Sequence, residues 1–362
     1  ATISFGELGV DGYGPDITVP KPKVFEPVAV VWSQSNVYFE DTETAGDGIG
    51  VLTFAESNTP LDKNLYQGVF FKWGSLIGVS TDNSFSSSSL FIPDLSTGKY
   101  HRVAVSSLAG HVDLTDVVGL FKKRLTDLGV SNFANYSDIY AKLPYVTQAD
   151  MTGDVPVKIP TLSGASYVDD NGLTAASGTA LYDTYRGDIC KYLADKNSAS
   201  GNSLTKGTWR LPTSREFGNG GTNYSDGSSF SDPAPGDYDT QWNKDYSGTP
   251  GSFAADINGA GELDKNSTEN WYYTLVRWIF DPAKDNLSTT PSFPASGYRN
   301  DNDGGLGGVG SLGYYWSTSV SNDAAYVLNL RFVSGNVNPY SSNYRTGGNS
   351  VRCVRDGENV AP

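Results

Sequence analysis

Cysteine, histidine and methionine are scarce in this chain of 362 residues, which contains two, two and one of them. The cysteines, Cys190 and Cys353, are too far apart in sequence to form a Cys-x-x-Cys metal or redox motif. The histidines, His101 and His111, stand beside no nucleophile elbow, phosphate-binding loop or zinc motif. These absences favour a protein that is not an enzyme and that needs no cofactor.

Basic residues and long apolar runs are also lacking. The chain has 26 lysines and arginines against 40 acidic residues, a net charge of −14, and no basic cluster. Nucleic-acid binding depends on concentrated positive charge, so we expect no nucleic-acid partner. No apolar run approaches the length that spans a bilayer, so we expect no membrane-spanning segment.

Glycine and tyrosine are abundant, with 41 and 22 residues, and 38 % of the chain is hydrophobic. That hydrophobic content is typical of a folded protein. The glycine and tyrosine content favours a β protein with many loops. The residues alone leave two alternatives open for the cysteines, which are either two buried thiols or a disulfide.

Residues 313–356 predict three consecutive strands. Residues 314–320 are aromatic and β-branched, residues 325–333 alternate between apolar and polar side chains, and residues 350–355 are again β-rich. Between the last two strands, residues 338–344 are polar and turn-prone, which predicts a surface loop.

Upstream, the patterns predict a mixture of strands and helices. Five segments carry these patterns, as strands at 28–39, 51–55 and 66–79 and as helices at 113–129 and 181–196. Thr213 and Glu216 have the spacing of a capping box at the start of a further short helix. Residues 1–27 are rich in glycine and proline, which predicts an extended lead or tether, and residues 357–362 are expected to form a tail.

Two polar segments carry the candidate ligand-binding residues. Tyr340, Asn343 and Tyr344 lie in the predicted loop near the C-terminus, and Trp242 and Tyr246 lie in a long Gly/Ser/Asp/Asn-rich segment at 219–251. Rigid aromatic area beside adaptable polar groups suits protein or sugar binding. Packing is an equal alternative for Tyr344.

A third polar segment, at 300–310, contains alternating oxygen ligands at Asp301, Asn302 and Asp303, followed by a glycine. Ca²⁺ accepts such ligands, but the segment has no glutamate at the position where an EF-hand loop requires one. Asp301 and Asp303 are therefore weak metal candidates. A solvated turn that needs no ion is the favoured interpretation.

Several short blocks follow one another along the chain: FFKWG at 70–74, WRLPTSREF at 209–217, FPASGYR at 293–299, GYYWST at 313–318, AYVLNL at 325–330, SGNV at 334–337, NYR at 343–345 and SVRCVR at 350–355. In these blocks the chain resembles the major paralogous domain family of Bacteroidota surface proteins, which is related to C-type-lectin-like folds. The resemblance spans residues 28–356, with long unmatched segments between the blocks, and its C-terminal part is the most specific.

The resemblance implies an α+β fold in which residues 28–356 form a C-type-lectin-like domain. Such a domain has mostly antiparallel strands, two or three helices and long loop insertions, and residues 80–175, which match no block, are expected to be an insertion. Folds of this kind commonly tie their first helix to their last strand by a disulfide. The resemblance therefore implies a bond between Cys190, on a predicted helix, and Cys353, on the last predicted strand.

The resemblance also implies a function. The expected protein is an exported, non-enzymatic cell-surface adhesin or ligand-binding protein, such as a fimbrillin-associated accessory or pilus tip subunit. Its expected location is the cell surface or outer membrane, with lipid anchoring through a removed N-terminal segment as one route. Expected partners are a host or bacterial surface glycan or protein, or pilus subunits. The alternative is a secreted carbohydrate-active or protein-modifying enzyme on the same fold, because catalytic triads and carboxylate pairs are spatial arrangements.

Overall fold

The computed structural model covers most of the predicted core. The described residues are 30–42, 48–56, 67–93, 97–108, 136–143, 145, 151–152, 155–156, 167–168, 174–175, 188–200, 204, 209–217, 239–246, 271–279, 291–321, 323, 325–333 and 336–356. The predicted lead at 1–27, the predicted helix at 113–129 and the predicted tail at 357–362 lie outside them.

Short strands dominate the described residues. In chain order they are β1 (Val30–Trp32), β2 (Tyr38–Asp41), β3 (Ile49–Thr53), β4 (Phe70–Lys72), β5 (Gly78–Val79), β6 (Ser89–Pro93), β7 (Tyr100–Ala104), β8 (Met151–Thr152), β9 (Val155–Pro156), β10 (Tyr167–Val168), β11 (Thr174–Ala175), β12 (Trp209–Arg210), β13 (Asp239–Tyr246), β14 (Trp271–Ile279), β15 (Ser292–Pro294), β16 (Tyr298–Arg299), β17 (Leu306–Gly307), β18 (Leu312–Val320), β19 (Tyr326–Val333), β20 (Asn336–Tyr344), β21 (Gly348–Asn349) and β22 (Val354–Asp356). The helices are α1 (Val105–Leu108), α2 (Tyr136–Lys142), α3 (Ile189–Ser200), α4 (Ser214–Phe217) and a 3₁₀ turn at Phe85–Ser87.

The strands form one large sheet and several small ones. The large sheet has nine strands in the order β17-β16-β21-β4-β5-β6-β7-β3-β2. Three sheets have three strands each, β1-β22-β12, β13-β14-β15 and β18-β19-β20. The pairings between these strands are antiparallel. The predicted α+β class, rich in antiparallel strands, is therefore confirmed.

The two ends of the described chain meet in the sheet β1-β22-β12. Val30 pairs with Asp356, and just beyond this ladder the backbone N–H of Ser33 donates to the carbonyl of Cys353 at 2.8 Å. Cys353 is bonded to Cys190 of α3, which confirms the disulfide between the helix and the closing segment. The bond fixes α3 against the strand that joins both ends of the fold.

Among the side chains that the structure describes, four buried tryptophans fill the interior between the sheets, namely Trp32, Trp73, Trp209 and Trp316. The indole N–H of Trp316 donates to the carbonyl of Phe71 at 2.7 Å, and that of Trp73 donates to the carbonyl of Ser317 at 2.9 Å. Because a buried indole N–H needs an acceptor, these bonds set how β4 and β18 lie against each other. Phe70, Phe71 and Trp73 of the predicted strand at 66–79 are thus core, and that predicted strand is divided into β4 and β5.

The glutamate half of the predicted capping box is present at Thr213, and Arg210 reinforces it. The Glu216 carboxylate accepts the backbone N–H of Thr213 at 2.7 Å and receives both terminal nitrogens of Arg210 at 2.9 and 2.7 Å. The reciprocal bond satisfies an amide that the start of α4 would otherwise leave without a partner. A two-pronged arginine contact also fixes the glutamate, so β12 and α4 form one unit.

One predicted loop is a strand. Residues 338–344 belong to β20, which pairs with β19 along nearly its whole length. The prediction of a loop was wrong because pairing with a neighbouring strand overrides the weak strand preference of Asn, Pro and Ser. β20 is an edge strand, and the register shifts beside Pro339, which is where sheets tolerate proline.

Other elements also differ in their boundaries from the prediction. The run at 28–39 is divided into β1 and β2, and residues 239–246 of the predicted long loop form β13. Residues 89–93 and 100–104 of the predicted insertion form β6 and β7, which lie within the nine-stranded sheet. No helix in the described part of the chain is both long and apolar enough to cross a membrane.

Candidate ligand-binding surface

Three of the resemblance blocks each contribute a buried arginine. Arg299, Arg345 and Arg352 are at most 2 % exposed. Nη1 of Arg352 donates to the carbonyl of Ser33 at 3.1 Å, and its Nη2 donates to the carbonyl of Ser292. Arg299 likewise donates to the carbonyl of Gly304 at 2.7 Å, and the guanidinium of Arg345 lies over the ring of Trp73, so these three arginines serve the fold, and a binding surface has to use other side chains.

Arg352 illustrates the balance of forces on such a cation. Its guanidinium lies over the ring of Phe293, 5.0 Å from the ring centroid. Burial lowers the pKa of Arg352 to about 10, and the neighbouring Tyr315 opposes that shift. Burying this charge therefore has a desolvation cost, and the contacts of the guanidinium with the carbonyls and the ring offset it.

We predict that Arg352→Met lowers the free energy of unfolding by roughly 2 kcal/mol, because a buried and a half-buried carbonyl lose a charged donor while the cost of burying the charge is relieved. Urea denaturation of the variant and the wild type measures the difference. Arg352→Lys is the matched control, since it keeps the charge but cannot reach both carbonyls, and we expect it to be destabilised as well. A lysine variant as stable as the wild type would contradict the assigned role.

Lys72 is a fourth buried cation, and it fixes helix α2. Its Nζ donates to the carbonyl of Tyr140 at 2.7 Å and lies 4.4 Å from the centroid of that ring and 5.3 Å from the ring of Tyr145. Burial lowers the pKa of Lys72 to about 7, while the charge of Asp301 opposes the shift. A lysine with a lowered pKa is a nucleophile candidate. Its contacts here are with a helix carbonyl and two rings, which is a structural use.

The turn at 300–305 uses its oxygens internally. The Asp303 carboxylate accepts the backbone N–H of Gly305 at 2.8 Å, and the Asn300 side chain accepts that of Asn302 at 2.9 Å. No group of three or more His, Cys, Asp or Glu side chains within the described ranges is placed to hold a metal. Asp301 acts at a distance, through its charge on Lys72 and on Tyr140.

The C-terminal candidate residues divide between the two faces of β20. Tyr344 is 41 % exposed, whereas Asn343 turns its amide to the side chain of Asn349, to which Nδ2 donates at 3.0 Å. Tyr340 is half-buried beside the register shift, and its backbone N–H donates to the side chain of Asn338 at 2.9 Å. Tyr344 is thus the member of this set that is most available to a ligand.

A second tyrosine completes the exposed surface. Tyr326 of β19 is paired with Tyr344 of β20, and the two ring centroids are 4.3 Å apart with the planes tilted by 31°. The pKa of Tyr326 is raised to about 12, and the largest cause is a hydrogen bond with Tyr344. We call this feature the tyrosine pair. Its two rings and two hydroxyls present apolar area and polar groups together, with little freedom to rearrange.

The other two candidates lie in a different sheet. Trp242 and Tyr246 are on β13, where their backbones pair with Leu275 and Trp271 of β14. Their side chains lie outside the described part of the structure. The assignment of Trp242 and Tyr246 as ligand-binding residues stays a prediction.

The residue that sequence reasoning missed is Tyr326. The pairing of Val333 with Asn336 fixes the start of the ladder, and a regular ladder from there would place Asn343 opposite Tyr326. The structure inserts one extra residue in β20, between Asn338 and Ser341, which moves Tyr344 into that place. Only the position of this bulge reveals the tyrosine pair.

A family model described as a domain of unknown function, DUF8237, matches residues 277–354. That range contains β18, β19 and β20 and therefore both members of the tyrosine pair. The searches of curated proteins and of solved structures found no match.

Proposed function

We propose that this chain is a non-enzymatic ligand-binding protein of the cell surface and that the tyrosine pair is its main contact. The observation that carries the proposal is a pair of tyrosines fixed against each other, one of which is 41 % exposed. A large aromatic side chain held in one orientation loses little conformational entropy when a ligand binds. Tyrosine is also enriched at binding surfaces because its ring and hydroxyl serve different contacts.

The finer fold and the location are part of the same proposal. A C-type-lectin-like domain is supported by the pairing of β1 with β22 and by the bond between Cys190 of α3 and Cys353. Disulfides persist mainly in oxidising compartments, so the bond supports export to the cell surface or outer membrane. Membership of the major paralogous domain family and a role as a pilus accessory rest on the sequence blocks.

The proposed ligand is a surface glycan or a surface protein. Both classes offer flat areas bordered by polar groups, which suit two tilted rings with hydroxyls. A glycan array and a capture experiment with surface proteins distinguish the two classes, and the proposal requires a ligand in one of them. Pilus subunits are included in the second experiment.

We predict that Tyr344→Ala weakens binding of the ligand so identified by roughly 10- to 100-fold, because an exposed aromatic contact is worth about 1–3 kcal/mol at a binding hot spot. Titration calorimetry measures the change. Tyr344→Phe keeps the ring and should lose far less affinity. The control variant is Tyr38→Ala, which removes a half-buried tyrosine from β2 at an edge of the nine-stranded sheet. Equal losses of ligand affinity in Tyr344→Ala and Tyr38→Ala would contradict the proposal.

A further inference from the structure

A row of three polar or aromatic side chains crosses the sheet β18-β19-β20. Tyr314 pairs with Arg331, and Arg331 pairs with Asn338, so the three lie side by side on one face. All three are half-buried rather than covered. Five positions along β19 separate Arg331 from Tyr326, so alternation places this row on the face opposite the tyrosine pair.

Arg331 is oriented by a neighbouring tyrosine. Its Nε donates to the hydroxyl of Tyr314 at 2.9 Å, and the guanidinium carbon lies 5.8 Å from the centroid of that ring. Among the described residues, no acceptor engages its outer nitrogens, Nη1 and Nη2. A guanidinium fixed at one nitrogen presents its remaining two as a fork, the geometry that matches a carboxylate.

Its neighbours supply a second donor and an aromatic platform. The Oδ1 of Asn338 accepts the backbone N–H of Tyr340 at 2.9 Å, which orients the amide and leaves its Nδ2 as a donor beside Arg331. On the other side, the ring of Tyr298 lies 5.0 Å from that of Tyr314, with the planes inclined by 52°. The row therefore places two hydrogen-bond donors for an anion, Arg331 and Asn338, beside the rings of Tyr314 and Tyr298.

We propose that Tyr314, Arg331 and Asn338 form a binding site for a carboxylated sugar, with Tyr298 extending its aromatic wall. The carboxylate accepts the Arg331 fork, a ring hydroxyl or carboxylate oxygen accepts from Asn338, and the sugar ring lies against the tyrosines. A sugar with one carboxylate fits better than a polyanion, because the net charge of −14 repels a highly charged ligand at long range. This site stands independently of the tyrosine pair.

Titration of the whole protein with simple probes tests the proposal. The probes are methyl β-glucuronoside, the methyl glycoside of N-acetylneuraminic acid, the neutral methyl β-glucoside and sodium acetate. We expect at least one acidic sugar to bind at least about tenfold more tightly than both the neutral sugar and acetate, because only it combines charge with a ring. Added salt should weaken that binding, since the site is partly exposed.

The variants separate this site from the proposed ligand surface. Arg331→Met should abolish binding of the acidic sugar, and Arg331→Lys should weaken it about tenfold because the fork is lost. Tyr344→Ala should leave it unchanged, and thermal melting confirms that each variant is folded. The proposal is overturned if neither acidic sugar binds, if acetate or the neutral sugar binds equally well, or if a folded Arg331→Met binds like the wild type.

Discussion

Cys353→Ser and Cys190→Ser are each expected to lower the free energy of unfolding by roughly 2–5 kcal/mol. The two cysteines are separated by 163 residues, so their bond removes many conformations from the unfolded chain. Both are fully buried, and the bond links α3 to the segment where β1, β22 and β12 meet. Loss of the bond therefore destabilises the part of the fold where its two ends meet.

Urea denaturation of each variant measures the effect, and the double variant supplies the decisive comparison. Each single change breaks the same bond, so Cys190→Ser with Cys353→Ser should cost about as much as either change alone. Cys→Ala variants control for the buried hydroxyl that serine introduces. If the double variant instead loses the sum of the stabilities that the two single variants lose, the account is contradicted, because additivity indicates independent sites.

The stability of the protein is expected to rise with pH through the range in which Lys72 loses its proton in the folded state. Burial lowers the pKa of Lys72 to about 7 in the folded chain, whereas an exposed lysine titrates near pH 10.4. Below about pH 7 both states are protonated, and the folded state bears the cost of a buried charge. Between the two values the unfolded chain binds more protons, so the free energy of unfolding increases with pH.

Comparison with Lys72→Met isolates this effect from other titrating groups. The unfolding free energy of the wild type, relative to the variant, should rise by roughly 3 kcal/mol between about pH 6 and about pH 9.5. Methionine keeps an unbranched stem of similar length but has no proton to lose. A difference between the two proteins that stays constant over this range would show that Lys72 is not buried as described.

The sequence predicted well what local patterns determine. Aromatic and β-branched content predicted β18, alternation predicted β19, and the capping spacing predicted the bond between Thr213 and Glu216. The disulfide followed from the resemblance of the chain to a family and not from the spacing of its cysteines. These features depend on short-range preferences or on a shared fold, both of which can be found in a single chain.

Tertiary contacts determine what the sequence did not predict. Arginine is rarely buried, and nothing near Arg352 in sequence identifies the carbonyls of Ser33 and Ser292 as its partners. The tyrosine pair depends on a bulge in β20, and a shift of one residue changes every neighbour across a ladder. Tyr344 was predicted from composition, but its partner Tyr326 required the register.

The measurement that tests the central claim most directly is the fate of a ligand bound at the tyrosine pair. The ligand identified on the array or by capture is incubated with the wild type and with Tyr344→Ala, and binding and mass are followed together. The account predicts reversible binding that the variant weakens by roughly 10- to 100-fold, with the ligand recovered at unchanged mass. A cleaved or modified ligand, or a variant that binds as tightly as the wild type, would contradict a non-enzymatic recognition protein that uses this surface.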